Sequence, residues 1–508
     1  MSNAQTAVKA LMTYVLVIPV ALMLGYMLSD PLQYSTFATV GTVLAILLFP
    51  ILLRWHHPLL LLTWNMGGTM VFIKGQPEMW MLMVAISLGI SIIHRALVRE
   101  GTFIFVPRVV LPLLAIVAVA LVTAKLTEGF GLRTFGGDVY GGKKYIFLVG
   151  AVLAYFAITA IRIPPEKAGL AVGLFYLGAM ARCLGDMYHF APAWLEPLFW
   201  IFQPTRAPEG QWEQITRLVG VTTAGNALFF FLMVKFGIRG IFLSGRPWRM
   251  IPVAVAVAMA LSGGFRSALL TIALLFTIQF FLEGMHRTKL LPILTAVGIF
   301  GFVLLIPVAS KLPFGFQRTL AILQLPVDPI AKHDAQHSTD WRLKLWAAVL
   351  PQVPDYLLLG KGYALSRRDY EMSGSTAIKT IDAAQQDLAL AGDYHNGPLS
   401  VVMPFGLWGV AAFTWFLWAA GRVVYNAYRF GDARLRTINT FLWAVFLTNL
   451  LRFTFIYGAF HSDLLTFVGI VGLSVSLNGG AIKRLPEQVH AAEPISQFGR
   501  RITVGYVQ

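Results

Sequence analysis

Arginine and histidine side chains stand at the ends of several apolar segments of this 508-residue sequence. Arg217 and Arg266 lie at the ends of two apolar runs, and His395 and Asn396 close a long polar stretch, 311–397, just before another apolar run. A guanidinium binds phosphate oxygens through paired donors, and an imidazole transfers protons near neutral pH. Gathered at one bilayer surface, such side chains would suit an anionic substrate that is linked to a lipid.

The composition is that of an integral membrane protein. Hydrophobic residues make up 57% of the chain and charged residues 13%, and the mean hydropathy is +0.69, above the range of soluble domains. A membrane-spanning helix needs about 20 mostly apolar residues. Fourteen segments approach this criterion, near 9–29, 35–53, 57–74, 79–98, 105–124, 145–163, 168–184, 215–236, 249–263, 266–283, 290–310, 399–420, 437–456 and 459–478. Because several are short or closely spaced, we predict an all-α polytopic membrane protein with about 12–14 transmembrane helices.

The positions of lysine and arginine predict the orientation of these spans. Basic residues occur in alternate loops, at Arg54, Arg95, Arg162, Lys235, Arg287, Arg422 and Lys483. Loops rich in lysine and arginine remain in the cytoplasm, which places both termini inside and the stretch 311–397 outside. Arg217 and Arg266 fall on the same outer side. The basic loop near 125–144 is the exception to the alternation.

These assignments divide the chain into five regions. N-terminal transmembrane helices occupy 1–210, central transmembrane helices occupy 211–310, and a large extracytoplasmic (periplasmic) loop with short helices occupies 311–397. C-terminal transmembrane helices occupy 398–480, and a cytoplasmic tail follows at 481–508.

Two short helices are predicted within the large loop. Asp340 or a neighbour would cap the first, whose apolar stripe lies in Trp341–Leu350 and which Pro351 would end. Residues 357–362 are predicted as a short apolar strand or turn. An alanine-rich second helix is predicted at 375–391.

Charge and cysteine content exclude several functional classes. The formal net charge of +16 is spread over short loops, where it fixes orientation, so it does not indicate nucleic-acid binding. The single cysteine, Cys183, excludes an internal disulfide. The outer loops contain no Asp-x-Asp and no His/Asp/Glu cluster with the spacing of metal ligands. We therefore predict a metal-independent protein with no cofactor.

Four short motifs, in order along the chain, resemble those of the O-antigen ligase and O-antigen polymerase family. They are Arg217-Leu218-Val219-Gly220 followed by Asn226, Leu261-Ser262-Gly263-Gly264-Phe265-Arg266-Ser267, Trp341-Arg342…Trp346 with Gly360-Lys361-Gly362, and Asp393-Tyr394-His395-Asn396 followed by Leu399 and Gly406. The resemblance covers roughly residues 210–420. The turn before Arg266 departs from it, with Gly263 and Gly264 where the family usually has serine and threonine.

The resemblance implies a membrane glycosyltransferase that acts in cell-surface polysaccharide biosynthesis, such as that of lipopolysaccharide. The substrate would be a glycan on an undecaprenyl-pyrophosphate carrier, and the glycan would pass to an acceptor hydroxyl at the periplasmic face of the bacterial inner membrane. Arg217 and Arg266 would stabilise the negative charge of the departing pyrophosphate, and His395 would take the acceptor's proton. The positions that would bind substrate are Arg342, Asn396 and Ser267.

Two alternatives stay open at the level of the sequence. Polymerases that join repeat units share these motifs, so the acceptor could be lipid A core, another glycan repeat or a protein hydroxyl. A polysaccharide or lipid transporter, or a flippase, would also have many spans. Transporters usually carry ionisable residues near mid-membrane, whereas here the polar residues gather at one face, which favours glycan transfer.

Overall fold

A computed structural model of the chain describes residues 34–71, 75–97, 103–127, 129–131, 141–204, 217–364 and 393–482, with single positions at 18–25 and at 73. These residues are almost entirely helical. Among them the β structure is limited to one isolated antiparallel bridge, Thr69 with Glu78.

Fourteen helices carry the architecture of the described residues, and most of them are apolar. In chain order they are α1 (Tyr34–Thr63), α2 (Met79–Leu97), α3 (Pro107–Leu126), α4 (Lys143–Thr159), α5 (Ala168–Leu177), α6 (Val219–Phe242), α7 (Met250–Ser262), α8 (Arg266–Leu282), α9 (Leu290–Leu305), α10 (Phe314–Leu320), α11 (Pro329–Val349), α12 (Gly397–Phe430), α13 (Arg436–Leu451) and α14 (Phe460–Asn478). Helix α11 is the most polar of them, and it belongs to the large loop together with the short helix α10.

The predicted all-α polytopic fold is confirmed. Within the described residues, eight helical segments are long and apolar enough to cross a membrane, and three shorter helices, α7, α8 and α9, are also apolar. Nearly every predicted span coincides with one of these helices or with α4. The span predicted near 9–29 lies mostly outside the described residues.

The N-terminal part differs from the sequence prediction. The spans predicted near 35–53 and 57–74 are replaced by the single helix α1, so Arg54 lies inside a helix and not in a loop. The polar residues that suggested a break are satisfied by neighbouring helices: His56 Nδ1 is 2.9 Å from Ser87 Oγ, and His57 Nε2 is 3.0 Å from the Ile158 carbonyl oxygen. Two predicted membrane crossings are therefore replaced by one helix. The number of crossings from which the side of the N-terminus was predicted decreases by one.

The large loop is also corrected at one helix boundary. Helix α11 begins eleven residues before Asp340, and its cap is Asp328, whose side chain accepts a hydrogen bond from Ile330 N. Asp340 lies inside the helix. Pro329 occupies the first turn, where a missing N–H costs nothing. The helix predicted at 375–391 lies outside the described residues.

Helix α12 is broken at Gly406, whose φ of 59° lies in the left-handed region. The turn predicted at 357–362 fits into this break. Lys361 N donates to the Met403 carbonyl at 2.8 Å, Gly362 N donates to the Pro404 carbonyl at 2.9 Å, and Leu407 N donates to the Leu357 carbonyl at 2.7 Å. Irregular backbone at membrane depth is tolerated when it is buried and paired in this way. We call this arrangement the glycine clasp.

The core is continuous through the bundle. Helix α4 packs along α14, α12 along α3, and α6 along α7. Aromatic rings fill the centre, where the ring centroids of Phe413 and Phe460 are 4.8 Å apart in an edge-on arrangement. The rigid bundle positions one set of helix ends, where α6, α8 and α12 begin and α13 ends. We call this end of the bundle the site face, and the other end the opposite face.

Candidate active site at the site face

Helix α11 lies across the site face and contacts each of the predicted site segments. Arg266 Nη2, at the start of α8, donates to Thr339 Oγ1 at 3.0 Å. Arg217 Nη2, just before α6, is 3.8 Å from Asp334 Oδ1. The Trp341 ring meets the His395 ring edge-on, with centroids 5.4 Å apart. The structure therefore places Arg217, Arg266 and His395 around one helix.

The turn that presents Arg266 depends on its two glycines. Gly264 has a φ of 79°, and a Cβ on Gly263 would lie 1.9 Å from Thr222 Oγ1 and 2.4 Å from the Leu218 carbonyl oxygen. A side chain at Gly263 would therefore push the turn away from the start of α6. The Gly264 carbonyl accepts a hydrogen bond from Arg318 Nη1. This packing explains why the chain has glycines here.

Arg318, on α10, is the central cation of the site. Only 4% of its side chain is exposed, its Nε pairs with Asp334 Oδ2, and its Nη1 is bound to Gly264. Asp334 thus pairs with both Arg318 and Arg217, and it holds them in fixed positions. Burial of an arginine is costly unless its N–H donors are hydrogen-bonded and its charge is paired.

Positive charge exceeds negative charge at this site. Burial lowers the pKa of Arg217, the nearby cations Arg318, Arg342 and Arg266 lower it further, and Asp334 opposes them. Burial is also the main cause that lowers the pKa of Arg342. Arginine remains charged in spite of such shifts. Four neighbouring guanidiniums, two of them paired with Asp334, therefore leave a net positive, partly buried surface suited to a polyanion.

His395 is held in an unusual backbone conformation. Its φ is +46°, uncommon for a residue with a side chain. On its N-terminal side, Trp346 Nε1 donates to the Tyr394 carbonyl at 2.8 Å, and on its C-terminal side Asn396 Oδ1 accepts from Leu399 N at 3.0 Å, capping α12. The imidazole is thereby fixed between α11 and α12.

The charge state of His395 is set by opposing neighbours. Burial lowers its pKa below 6.5, the Asp393 carboxylate acts to raise it, and the Arg342 cation acts to lower it. The balance favours the neutral ring at neutral pH. A neutral ring can accept a proton, and the adjacent carboxylate would stabilise the imidazolium that results.

The family model described as O-antigen ligase matches residues 216–414. This segment is similar to the O-antigen ligases that the family model describes. The predicted resemblance is confirmed, and the match supports a ligase- or polymerase-type glycosyltransferase function in general terms. Comparison with curated proteins found no significant match.

The matched segment contains all six predicted site residues. The structure brings Arg217, Arg266, Arg342 and His395 together along α11. Ser267 is partly buried in the first turn of α8, beside Arg266. Asn396 uses its side-chain oxygen to cap α12, so its observed contact is structural.

Arg318 and Asp334 lie within the matched segment and were not predicted as site residues. Their ion pair holds the site arginines in place. Arg318 in the sequence resembles any basic residue of a polar loop, and Asp334 lies in a segment that was not predicted to be helical. The pair Asp328-Pro329, a helix-starting signal, would have extended α11 to include Asp334.

A third group of residues that was not predicted lies C-terminal to the matched segment and is close to Arg342. Arg342 is close enough to Tyr457 to interact electrostatically, and Arg452 Nη1 donates to Tyr457 Oη at 3.0 Å. Arg452 also pairs with Asp463, whose Oδ2 accepts from Ala459 N at 2.8 Å. These contacts form where α13 ends in a π-helical turn, Arg452–Ile456, a feature often found at functional sites. An aspartate in an apolar span was the available sequence signal.

Asp186 has a structural role next to the site face. Asp186 Oδ2 accepts a hydrogen bond from Val221 N at 2.7 Å and so caps the first turn of α6. A Cβ on Gly220 would lie 2.1 Å from the Arg182 carbonyl oxygen, so this contact requires glycine. Asp186 thereby helps to place the α6 terminus next to Arg217. Among the described residues there is no group of three or more His, Cys, Asp or Glu side chains that could hold a metal ion.

Proposed function

We propose that this protein transfers a glycan from an undecaprenyl-pyrophosphate carrier to an acceptor hydroxyl at the periplasmic face of the bacterial inner membrane. The observation that carries this proposal is the grouping of four guanidiniums near Asp334, next to a partly buried histidine, within the segment that matches the O-antigen ligase family. Ligation to lipid A core is the primary reaction proposed, in the synthesis of lipopolysaccharide.

The arginines are suited to the donor's pyrophosphate. In the reaction, the bond between the anomeric carbon and the phosphate oxygen breaks, and its electron pair leaves with the pyrophosphate. Arg217 and Arg266 would face the growing negative charge, and their preset positions avoid the cost of reorganising at that moment. The buried Nε of Arg217 has no hydrogen-bond partner in the described part of the chain, which leaves a donor for a phosphate oxygen.

His395 would act on the other reactant. The acceptor hydroxyl forms the new bond to the anomeric carbon and loses its proton to the imidazole. The lowered pKa keeps the imidazole neutral before the reaction, and Asp393 would stabilise the charge that it then acquires. Trp341, packed against the ring, limits its rotation.

We propose that no metal ion is required. Divalent cations in phosphate-transfer sites neutralise the developing charge and orient the phosphates. Arg217, Arg266 and Arg318, each held by a partner in the protein, would supply both functions here. Bidentate guanidinium–phosphate contacts also provide orientation that a point charge does not.

The proposal is tested with the purified protein and a radiolabelled undecaprenyl-pyrophosphate glycan, offered lipid A core, a second glycan repeat, and a peptide that carries serine. Label on lipid A core supports ligation, and a ladder of repeats supports a polymerase. An Arg266→Ala variant serves as the matched inactive control. If label never leaves the carrier, or leaves it equally fast with the variant, the transfer proposal is wrong. Loss of activity with EDTA and recovery with a divalent ion would refute the metal-free mechanism.

A further inference from the structure

A second cluster of arginines lines a cavity at the opposite face of the bundle. The cavity has a volume of about 560 Å³. Arg239 near the end of α6, Arg429 near the end of α12 and Arg436 at the start of α13 contribute to its wall, and Phe236 and Leu282 contribute apolar surface. Four helix ends therefore meet around a space large enough for a small polar group.

The three arginines have no anionic partner within the described residues. All three are exposed. The one carboxylate of the lining, Glu283, is used elsewhere: Oε1 accepts from Ile238 N at 3.0 Å and from Gln279 Nε2 at 2.8 Å, and Oε2 accepts from Arg239 N at 2.9 Å. The guanidiniums therefore dominate the potential inside the cavity.

The shape of the cavity depends on a break in α6. Gly237, with a φ of 63°, interrupts the helix, and this break frees the two backbone amides that Glu283 binds. A Cβ on Gly237 would lie 2.8 Å from Glu283 Oε1, so the carboxylate can approach only a glycine. The acidic side chain is consequently drawn to the backbone and away from the three arginines.

The cavity is remote from the candidate active site. Helix α6 starts at the site face and has 24 residues, so its far end is about 36 Å away along the axis. Arg429 is likewise near the end of a 34-residue helix that begins beside His395. The cavity thus lies at the level where lipid headgroups border the other side of the bilayer.

We propose that this cavity binds the phosphate of an anionic membrane lipid headgroup. The paired N–H donors of a guanidinium bind two phosphate oxygens at once. Basic pockets between transmembrane helices bind the headgroups of anionic lipids. Phe281, next to the cavity and 54% exposed, would contact the acyl chains of the same lipid. The inference does not depend on the chemistry of the site face.

The test compares two variants of the full-length protein purified in neutral detergent. The first replaces the three cavity arginines together, Arg239→Gln, Arg429→Gln and Arg436→Gln. The second, Arg287→Gln, removes an exposed arginine from the same face but outside the cavity. All four side chains are exposed, so both proteins should fold. Native mass spectrometry then measures the dissociation constants of cardiolipin and phosphatidylcholine for each protein.

We expect wild type to bind cardiolipin more tightly than phosphatidylcholine. Each basic residue near a membrane surface contributes about fivefold to affinity for an anionic lipid, so the triple variant should lose on the order of 100-fold. The Arg287→Gln variant should stay close to wild type. Equal cardiolipin binding by wild type and triple variant, or an equal loss in the Arg287→Gln variant, would overturn the proposal.

Inorganic pyrophosphate distinguishes a lipid from a soluble phosphate compound. Isothermal titration without lipid should show binding much weaker than that of cardiolipin, because the soluble ion gains nothing from the apolar wall. Pyrophosphate binding as tight as that of cardiolipin, and lost in the triple variant, would overturn the assignment to a lipid.

Discussion

The two arginine groups of this protein carry charges of the same sign, but the structure holds them differently. At the site face, Arg318 is buried and Asp334 pairs it with Arg217, while Arg266 is bound to Thr339. At the opposite face, Arg239 and Arg436 project from helix ends without a partner in the described residues. The first group is fixed before any ligand arrives, and the second must become ordered when one binds.

Because of this difference, the first group suits catalysis and the second suits lipid binding. Charges fixed in a partly dehydrated site act strongly on a developing negative charge, whereas exposed charges are screened by water and salt and contribute little each. We therefore expect substitutions at the site face to reduce the reaction rate, and substitutions at the opposite face to reduce lipid affinity alone.

The most decisive test of the comparison is which side of the membrane each group faces. In a Cys183→Ser background, a cysteine at Gln352 should react with a membrane-impermeant maleimide in intact cells, because the site face is predicted to be periplasmic. A cysteine at Asp432 should react only after the cells are opened. The reverse pattern would place the arginine site in the cytoplasm and contradict the proposed function.

The largest effect on rate is expected at His395. His395→Ala should reduce turnover by roughly 10²–10⁴-fold, the usual contribution of general acid–base catalysis, in an assay with radiolabelled donor. His337→Ala is the matched control, because His337 is an exposed histidine on the same polar loop. His395→Gln keeps a hydrogen-bonding side chain without basicity, so a near-wild-type rate in that variant would contradict the base role.

A smaller loss is expected from the arginines of the site face. Arg266→Ala should reduce turnover by about 10²–10³-fold, as removal of one preset donor to a developing charge does. Arg266→Lys should recover little, because an ammonium cannot reproduce the guanidinium fork. Arg287→Ala, in the turn that follows the other end of α8, should leave turnover unchanged. Full recovery by lysine would show that charge alone is needed.

The two faces should also differ in the stability that their ion pairs provide. Asp463→Ala would leave Arg452 buried without its partner, and such a loss typically costs about 3–5 kcal/mol. Thermal unfolding in detergent should show a large decrease in the midpoint. Arg434→Gln removes a fully exposed ion pair with Asp432 and should leave the midpoint unchanged. Equal unfolding midpoints for the two variants would show that the ion pairs of the two faces contribute equally to stability, which contradicts this prediction.

The smallest effect is a shift in the pH dependence. The rate should fall as pH decreases through the pKa of His395, which burial places below 6.5. Asp393→Asn removes a group that raises this pKa, so the acidic limb should move to lower pH. Arg342→Gln removes a group that lowers it, so the limb should move to higher pH, whatever the loss in rate. If both variants shifted the acidic side of the pH–rate profile in the same direction, that side would not reflect the protonation of His395.

The sequence predicted the spans better than it predicted the contacts between distant elements. Apolar length alone located most helices, and the order of four motifs selected Arg217, Arg266 and His395, which the structure brings to one face. The signal Asp328-Pro329 could have placed Asp334 on a helix, but its pairing with Arg318 and Arg217 could not be predicted, because it depends on α11 crossing the ends of distant helices. The continuity of α1 also depends on tertiary contacts, since His56 and His57 are satisfied by side and main chains far along the sequence.

The glycine clasp has a consequence for engineering this protein. It ties the chain near Gly362 to the middle of α12, and the Asn396 cap ties the chain again at the start of the same helix. The stretch between these two anchors can therefore change in length without moving His395. Lengthening a closed loop is inexpensive, about 0.6 kcal/mol for each doubling. An insertion or deletion between Gly362 and Asn396 is therefore expected to leave the donor chemistry of the site face in place.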